Sequence, residues 1–431
     1  MRVLVVGGYG LIGGYVLSRL HRQGHELVGA GREIRAAARR FPYARWVAAD
    51  LAAMRRPEDW VPHLAGIDAV VNCAGALQDS PRDDLRAVHV DGALALYRAC
   101  AAAGIRRVVH VSAAAVGAGR ETAFNATKQA AEAALAQLDL DWAVLRPGLV
   151  LAPAAYGGTA LLRGLAGCPG IIPAVHADSV VQLVSVEDVA EAAARAIDPA
   201  APARIALDLM HPEPVRLAEL LVALRGWLGL PPARVLRLPA GLARITAVAS
   251  DAIARLGWRS PMRSTALAQL RMGIAGDGET WQRVLGLRPR SLAEMLAGWP
   301  SGVQERWFAR LYFLKPLAFT ALILFWLASG LIGVARLDQA AAVLRDAGVP
   351  AGLAAATVGA GSAVDLALAV LACFRRSAGP ALLGMVAVSA AYLLGGTLLR
   401  PDLWADPLGP LVKVIPGAVL ALAALAMLDE R

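Results

Sequence analysis

Arg2-Val3-Leu4-Val5-Val6-Gly7-Gly8-Tyr9-Gly10-Leu11-Ile12-Gly13 decides how the first half of this chain folds. Val3 to Val6 is apolar at every position, the pattern of a strand covered on both faces. Gly7, Gly10 and Gly13 follow at three-residue spacing. A strand that turns sharply into a helix needs a residue without a Cβ at the turn, and a helix packed close on that strand needs another. The first turn of such a helix has backbone N–H groups without intrahelical partners. Here they belong to Leu11, Ile12 and Gly13, and they suit a pyrophosphate. In this strand–turn–helix setting the spacing points to a dinucleotide site. Tyr9 is read as packing. Gly7, Gly8, Gly10, Gly13 and Gly14 also argue against a signal-peptide helix over residues 1–20, at about 1 kcal/mol each against alanine.

Outward from this stretch, short apolar strands alternate with helices up to residue 210. Glu26–Ala30, Asp68–Asn72, Arg107–Val111 and Asp141–Leu145 read as strands, with helices such as Leu85–Gly104 and Ala126–Gln137 between them. The alternation predicts an α/β fold, a doubly wound parallel sheet with helices on both faces. Residues 211–310 mix helices (Leu217–Leu228, Ser264–Met272) with turns, and read as a small C-terminal subdomain covering the open side of the cleft. The expected division is 1–210, 211–310 and 311–431.

Composition changes after residue 310. Leu317–Val334, Val349–Phe374, Ser377–Leu399 and Leu411–Leu428 are apolar runs with at most one charge each. The first is 18 residues, about 27 Å as a helix, close to the width of a bilayer core. The expectation is a bundle of four transmembrane helices, so the lipid bilayer is a partner. The bulk agrees, with 57% hydrophobic and 18% charged residues. Arg306, Arg310 and Lys315 precede the first run, and Arg375-Arg376 lies between the second and third. By the positive-inside rule both places are cytoplasmic, which keeps residues 1–310 cytoplasmic on an inner membrane. Asp365 inside the second run must face protein, as a proton or quinone contact or as a hydrogen-bonded strut between helices.

The net charge of +9 comes without a DNA-binding motif or an aromatic-interleaved basic patch, which sets nucleic acid aside. Cys73, Cys100, Cys168 and Cys373 form no CxxC pair and stand apart from any histidine at ligand spacing, so no metal site is expected.

The second strand ends in Gly29-Ala30-Gly31-Arg32, where an NAD site places a carboxylate for the ribose. Arg32, backed by Arg35, Arg39 and Arg40, suits a 2′-phosphate and favours NADP, while Glu33 leaves NAD open.

The order of motifs resembles the short-chain dehydrogenase/reductase superfamily, with its Rossmann domain, in the extended or atypical branch. The likeness rests on the glycine loop, Asp50-Leu51, Asn72-Cys73-Ala74-Gly75, Ser112, Arg146-Pro147-Gly148 and Val184-Ser185-Val186-Glu187-Asp188-Val189-Ala190. It implies that Asp50 and Leu51 contact adenine and that Asn72, Ala74 and Gly75 underlie it. It implies further that Pro147 lies near the nicotinamide, and that Ser112 and Lys128 belong to the catalytic set. Lys128 would also hold the nicotinamide ribose.

One departure stands out. The family's Tyr-x-x-x-Lys reads Phe124-Asn125-Ala126-Thr127-Lys128 here. Phenylalanine has no proton to exchange with a carbonyl or alcohol. Two readings follow. One is an NADP-dependent oxidoreductase for a quinone or lipid-like substrate met at the membrane. The other is a non-catalytic NADPH-binding scaffold or sensor for a membrane redox complex. The tail resembles the DoxX-like membrane family, on Lys315-Pro316-Leu317 and on Leu403–Lys413.

Overall fold

The structure is a computed structural model and describes residues 1–79, 83–114, 122–258 and 262–429. The chain forms two compact units. One comprises Met1–Asp251 with Ser260–Ala309, the other Ala252–Arg259 with Arg310–Arg431.

The first unit is built on a parallel sheet of seven strands. Numbered within this sheet, they are β1 (Arg2–Val6), β2 (Glu26–Gly31), β3 (Arg45–Ala48), β4 (Ala69–Asn72), β5 (Arg107–Val111), β6 (Asp141–Pro147) and β7 (Ile205–Leu209). Their spatial order is β7-β6-β5-β4-β1-β2-β3. The order reverses between β1 and β4, which opens a crevice at the carboxyl ends of these strands. The register levels those ends. Val6 pairs with Ala30 and with Asn72, Asn72 with His110, and Val111 with Leu145. Gly7, Arg32, Cys73 and Ser112 therefore leave the sheet along one edge.

The helices of this unit are α1 (Leu11–Arg22), α2 (Ile34–Arg40), α3 (Pro57–Leu64), α4 (Ala93–Ala102), α5 (Ala123–Ala136), α6 (Gly157–Ala166), α7 (Val186–Ala196), α8 (Leu217–Trp227), α9 (Ala240–Ala254), α10 (Ser264–Met272), α11 (Thr280–Leu285) and α12 (Leu292–Gly298). The two faces of the sheet bury separate cores. Val3, Val5, Leu17 and Leu20 lie in one, and Leu4, Val6, Trp60 and Leu96 in the other. The single helix expected over Leu85–Gly104 is two pieces, a π-helical turn (Ala87–Gly92) running into α4. Gly92 makes the junction fit, since a Cβ there would lie 2.0 Å from the Leu51 carbonyl oxygen. Helix α5 begins at Ala123, earlier than Ala126, with the Thr122 side chain accepting from Asn125 N–H as its cap.

The Val184–Ala190 motif is an anchor. Ser185 caps α7, and Glu187 accepts from the Trp299 indole and pairs with Arg290 at 2.5 Å. The backbone N–H of Arg290 donates to Asp188, whose carboxyl burial pushes above its usual range. These contacts fix residues 290–299 to the start of α7. Residues 211–309 also reach the carboxyl edge of the sheet. Trp281 Nε1 donates to the carbonyl of Met210, just past β7, and Gln269 on α10 donates to Thr122 and Asn125 at the start of α5.

In the second unit the apolar runs are helical. Helix α13 spans Val303–Ala335 and passes through Pro316, α14 spans Leu337–Arg345, α15 Ala351–Cys373, α16 Ala378–Leu399 and α17 Val414–Ala426. Three of them, α13, α15 and α16, are long and apolar enough to cross a membrane among the described residues. The expected fourth span is shorter. Helix α17 has 13 residues, about 20 Å, because Gly409 (φ +59°) and Pro410 turn the chain and Pro416 confines the helix start to Val414. Helices α13 and α15 run antiparallel. Gly330 and Gly333 lie against Ser362, and Trp258 joins Phe319, at the middle of α13, to Cys373 at the end of α15. Asp365 is buried in this unit and accepts from Ser329 Oγ at 2.7 Å and Tyr392 Oη at 3.2 Å. It is a strut across three helices. Asp402 pairs with Arg400 at 2.7 Å.

Candidate dinucleotide site

The glycine loop has the shape a pyrophosphate cradle requires. Gly7 takes φ +72° and its N–H donates to Ala30 across the β1–β2 edge. A Cβ on Gly13 would stand 2.2 Å from the Gly7 carbonyl oxygen, and one on Gly7 2.8 Å from Ala74 N. Both glycines are demanded by close backbone approach. Gly10 precedes α1, so the N–H groups of Leu11, Ile12 and Gly13 form the first turn of a helix aimed at the crevice.

At the adenosine end, Tyr9 packs on Gly31, where a Cβ would meet its ring at 2.3 Å. Tyr9 is more than packing, because its hydroxyl also engages Arg32. Arg32 Nη2 lies 2.8 Å from Asp83. Burial opposes the guanidinium charge, and Asp83 with Tyr9 outweighs it and holds Arg32 firmly cationic. Of the arginines expected to back it, Arg40 lies over the Phe41 ring, 5.1 Å from its centroid. Asp50 accepts from Ala52 N–H in a turn, and Leu51 is buried beneath Gly92.

Asn72 is a positioning residue. Its Oδ1 accepts from Ala74 N–H at 3.0 Å and its Nδ2 donates to Tyr97 Oη at 2.9 Å. Tyr97 in turn lies 2.7 Å from His110 Nδ1. This buried chain fixes the Asn72–Gly75 segment beneath the crevice. Burial holds His110 neutral, and the nearby Lys128 adds to that.

At the nicotinamide end, Lys128 is buried and donates from Nζ to the Val111 carbonyl at 3.0 Å. Burial lowers its pKa to about 8, against the pull of Glu132 and Cys73. Gly75 leaves room beside it, with a Cβ there 3.3 Å from Lys128 Nζ and 3.4 Å from His89 Nε2. Glu132, one turn further along α5, grips Arg146 on β6 at 2.5 Å, and Arg146 also faces Asp208 at 3.7 Å. Pro147 ends β6, and its carbonyl accepts from Ala114 N–H, which ties it to the Ser112 segment. Ser112 Oγ is buried and makes no hydrogen bond among the described residues. A buried hydroxyl of this kind is an open donor for a bound molecule.

Sequence reading missed His89. It sits in the π-helical turn beside the aromatic that replaces the tyrosine. Its Nε2 accepts from Ala76 N–H at 3.0 Å, and its Nδ1 lies 2.9 Å from Thr127 Oγ1. Thr127 donates to Ala123 O, so Nδ1 carries the hydrogen in this arrangement. Burial, then the charge of Lys128, lowers the imidazole pKa to about 3. His89 is therefore neutral with both nitrogens engaged, and does not supply the missing proton. Its one sequence signal is a histidine set between two valines, Val88 and Val90.

The arrangement carries parts that a dinucleotide site needs: a glycine turn at a helix N-terminus, a guanidinium after β2 and the Asn72–Gly75 segment. Among the described residues it offers the Ser112 hydroxyl and the Lys128 ammonium, with Phe124 where a phenol was expected.

Residues 3–205 match the NAD dependent epimerase/dehydratase family, and residues 323–422 match the DoxX-like family. Among solved structures, MoeE5 in complex with UDP-glucuronic acid and NAD aligns at a TM-score of 0.53 with 21% identity. The alignment covers 69% of this chain and 97% of that one. The Bordetella bronchiseptica enzyme WbmG in complex with NAD gives 0.53 and 18%, covering 69% and 92%. UDP-glucose 4-epimerase of Thermotoga maritima gives 0.53 and 18%, covering 74% and 100%. At these identities the likeness is one of fold. The photosystem II assembly factor Ycf39 of Synechocystis is 34% identical over 147 residues, 34% of this chain and 44% of that protein. An uncharacterized protein of Mycobacterium tuberculosis is 28% identical over 198 residues, 46% of this chain and 20% of that protein. The chain thus spans less than half the length of these relatives.

Proposed function

We propose, from the premise that this chain joins a Rossmann domain of the epimerase/dehydratase type, within the short-chain dehydrogenase/reductase superfamily, to a DoxX-like membrane domain, that it is an NADP-dependent oxidoreductase. It works at the inner membrane with its nucleotide site in the cytoplasm. The observation that carries this reading is the buried Ser112 hydroxyl, open to a ligand in the crevice that Lys128 also lines. A nicotinamide cofactor, when bound, supplies hydride chemistry. Lys128 holds its ribose, and Ser112 donates to the acceptor oxygen. Phe124 cannot protonate that oxygen, so the acceptor is one that takes its proton from water, such as a quinone or a lipid-like carbonyl. In the quinone case the hydride and one solvent proton complete the quinol.

Arg32 supports NADP because a guanidinium at the end of β2 suits a 2′-phosphate. Asp83 competes for that guanidinium, and two of the solved neighbours named above, MoeE5 and WbmG, carry NAD. Arg32→Ala therefore tests the preference. It should weaken NADPH more than NADH, and equal affinities before and after would remove it.

A second reading, a cofactor-holding scaffold or sensor for a membrane complex, is favoured by Phe124 and by a relative that is an assembly factor. The purified full chain decides between them. Binding of NADPH followed by quinone-dependent oxidation supports the enzyme. Binding without oxidation across a panel of quinones and carbonyls supports the scaffold.

A further inference from the structure

Helix α9 is amphipathic in an inverted sense. Ala243, Ala247 and Ala254 are its buried residues, whereas Leu242, Ile245, Val248 and Ile253 stand in the open, Ile245 at 68% and Val248 at 61% exposure. At 100° per residue the three alanines fall within one narrow arc. The large aliphatics share a broad stripe on the opposite side, which Leu256 extends beyond the helix end. Arg244 and Arg255 flank that stripe. A contiguous exposed aliphatic stripe on a helix marks an interaction surface.

What covers it follows from where α9 ends. Its last residues and the turn after it belong to the membrane unit. The Trp258 indole donates to the Cys373 carbonyl at 2.7 Å and packs edge-on against Phe319, 4.8 Å between centroids. Arg375 N–H donates to the Leu256 carbonyl at 3.0 Å, and the Arg375 guanidinium lies 5.9 Å from the Trp258 ring. The end of α9 and the turn after it are thus held at the end of α15, beside Cys373 and Arg375. An aliphatic face flanked by arginines, on a helix whose end is seated beside a tryptophan and an arginine, has the chemistry of an interfacial helix.

We propose that α9 lies in the bilayer interface, with Leu242, Ile245, Val248 and Ile253 among the upper acyl chains and Arg244 and Arg255 at anionic headgroups. The test is photo-crosslinking in the full chain reconstituted in vesicles of phosphatidylethanolamine and phosphatidylglycerol. p-Benzoylphenylalanine replaces Ile245, Val248 or, as the comparison, Arg244. The expected result is lipid adducts at 245 and 248, several-fold more abundant than at 244. Adducts to a second copy of the chain, or no adduct above the level at 244, would overturn the proposal. Should the Ile245 variant fail to insert, Ile253 offers the same stripe for a second probe.

Discussion

The ring of Phe124 stands edge-on to the imidazole of His89, with 5.7 Å between centroids and 76° between planes. A phenol at position 124 would enter a setting that Lys128 already charges. Phe124→Tyr should leave NADPH affinity within about twofold and create carbonyl reduction, with a gain in the range of about 10²–10⁴ that general acid catalysis contributes. Steady-state assays on a panel of small carbonyls check this. No gain would mean that the nicotinamide end of the crevice no longer admits a substrate.

Lys128 gives the site a pH signature. Its folded pKa of about 8 lies below the ordinary 10.5, because burial penalises the ammonium. Between these values the folded chain binds fewer protons than the unfolded one, so stability rises with pH through that window. A bound polyanionic dinucleotide favours the ammonium and raises its pKa. Binding near pH 8 to 9 should then take up a proton. Calorimetric titration in two buffers of different ionisation enthalpy reads that uptake, and Lys128→Met should abolish it.

Gly13 offers the sharpest test of the cradle. A methyl group there meets the Gly7 carbonyl oxygen at 2.2 Å, and backbone has nowhere to yield. Gly13→Ala should destabilise the first unit by about 1–3 kcal/mol, the usual cost of overpacking, and remove dinucleotide binding. Thermal melting and nucleotide fluorescence report the two effects separately.

The Glu132–Arg146 pair joins α5 to β6 with a nearly buried carboxylate. Glu132→Ala leaves that guanidinium with Asp208, 3.7 Å away, and should cost about 3 kcal/mol. Because Lys128 lies one turn earlier and loses a charge that favours its ammonium, the proton uptake described above should shift to lower pH.

Much of this was legible in the sequence because it is local. The run Val3–Val6 and the glycines after it dictate a strand, a turn and a helix within a dozen residues. Apolar strands recurring after it leave little choice of sheet. What was not legible depends on distance along the chain. His89 matters through Thr127 and Ala76, and its π-helical turn depends on Gly92 meeting Leu51. Arg32 reads as a free phosphate ligand until Asp83 is seen beside it. The fourth apolar run looked like a span because hydropathy ignores the turn over Leu411–Lys413, which delays the helix to Val414. Helix α9 drew no notice because its apolar residues alternate with alanine, and only burial separates the two faces.

Eight residues, Ala252–Arg259, leave the first unit for the second, and the chain then returns for the fifty residues Ser260–Ala309, which end inside α13. This has a consequence for the order of synthesis. When Trp258 emerges from the ribosome, Phe319 and Cys373 do not yet exist. The indole must wait while Ser260–Ala309 is made and folded into the first unit, and until α15 has been delivered to the membrane. Its docking is therefore a late event in biogenesis. A chain stopped at residue 309 would be left with an unseated tryptophan beside an aliphatic helix, the surface a chaperone would recognise.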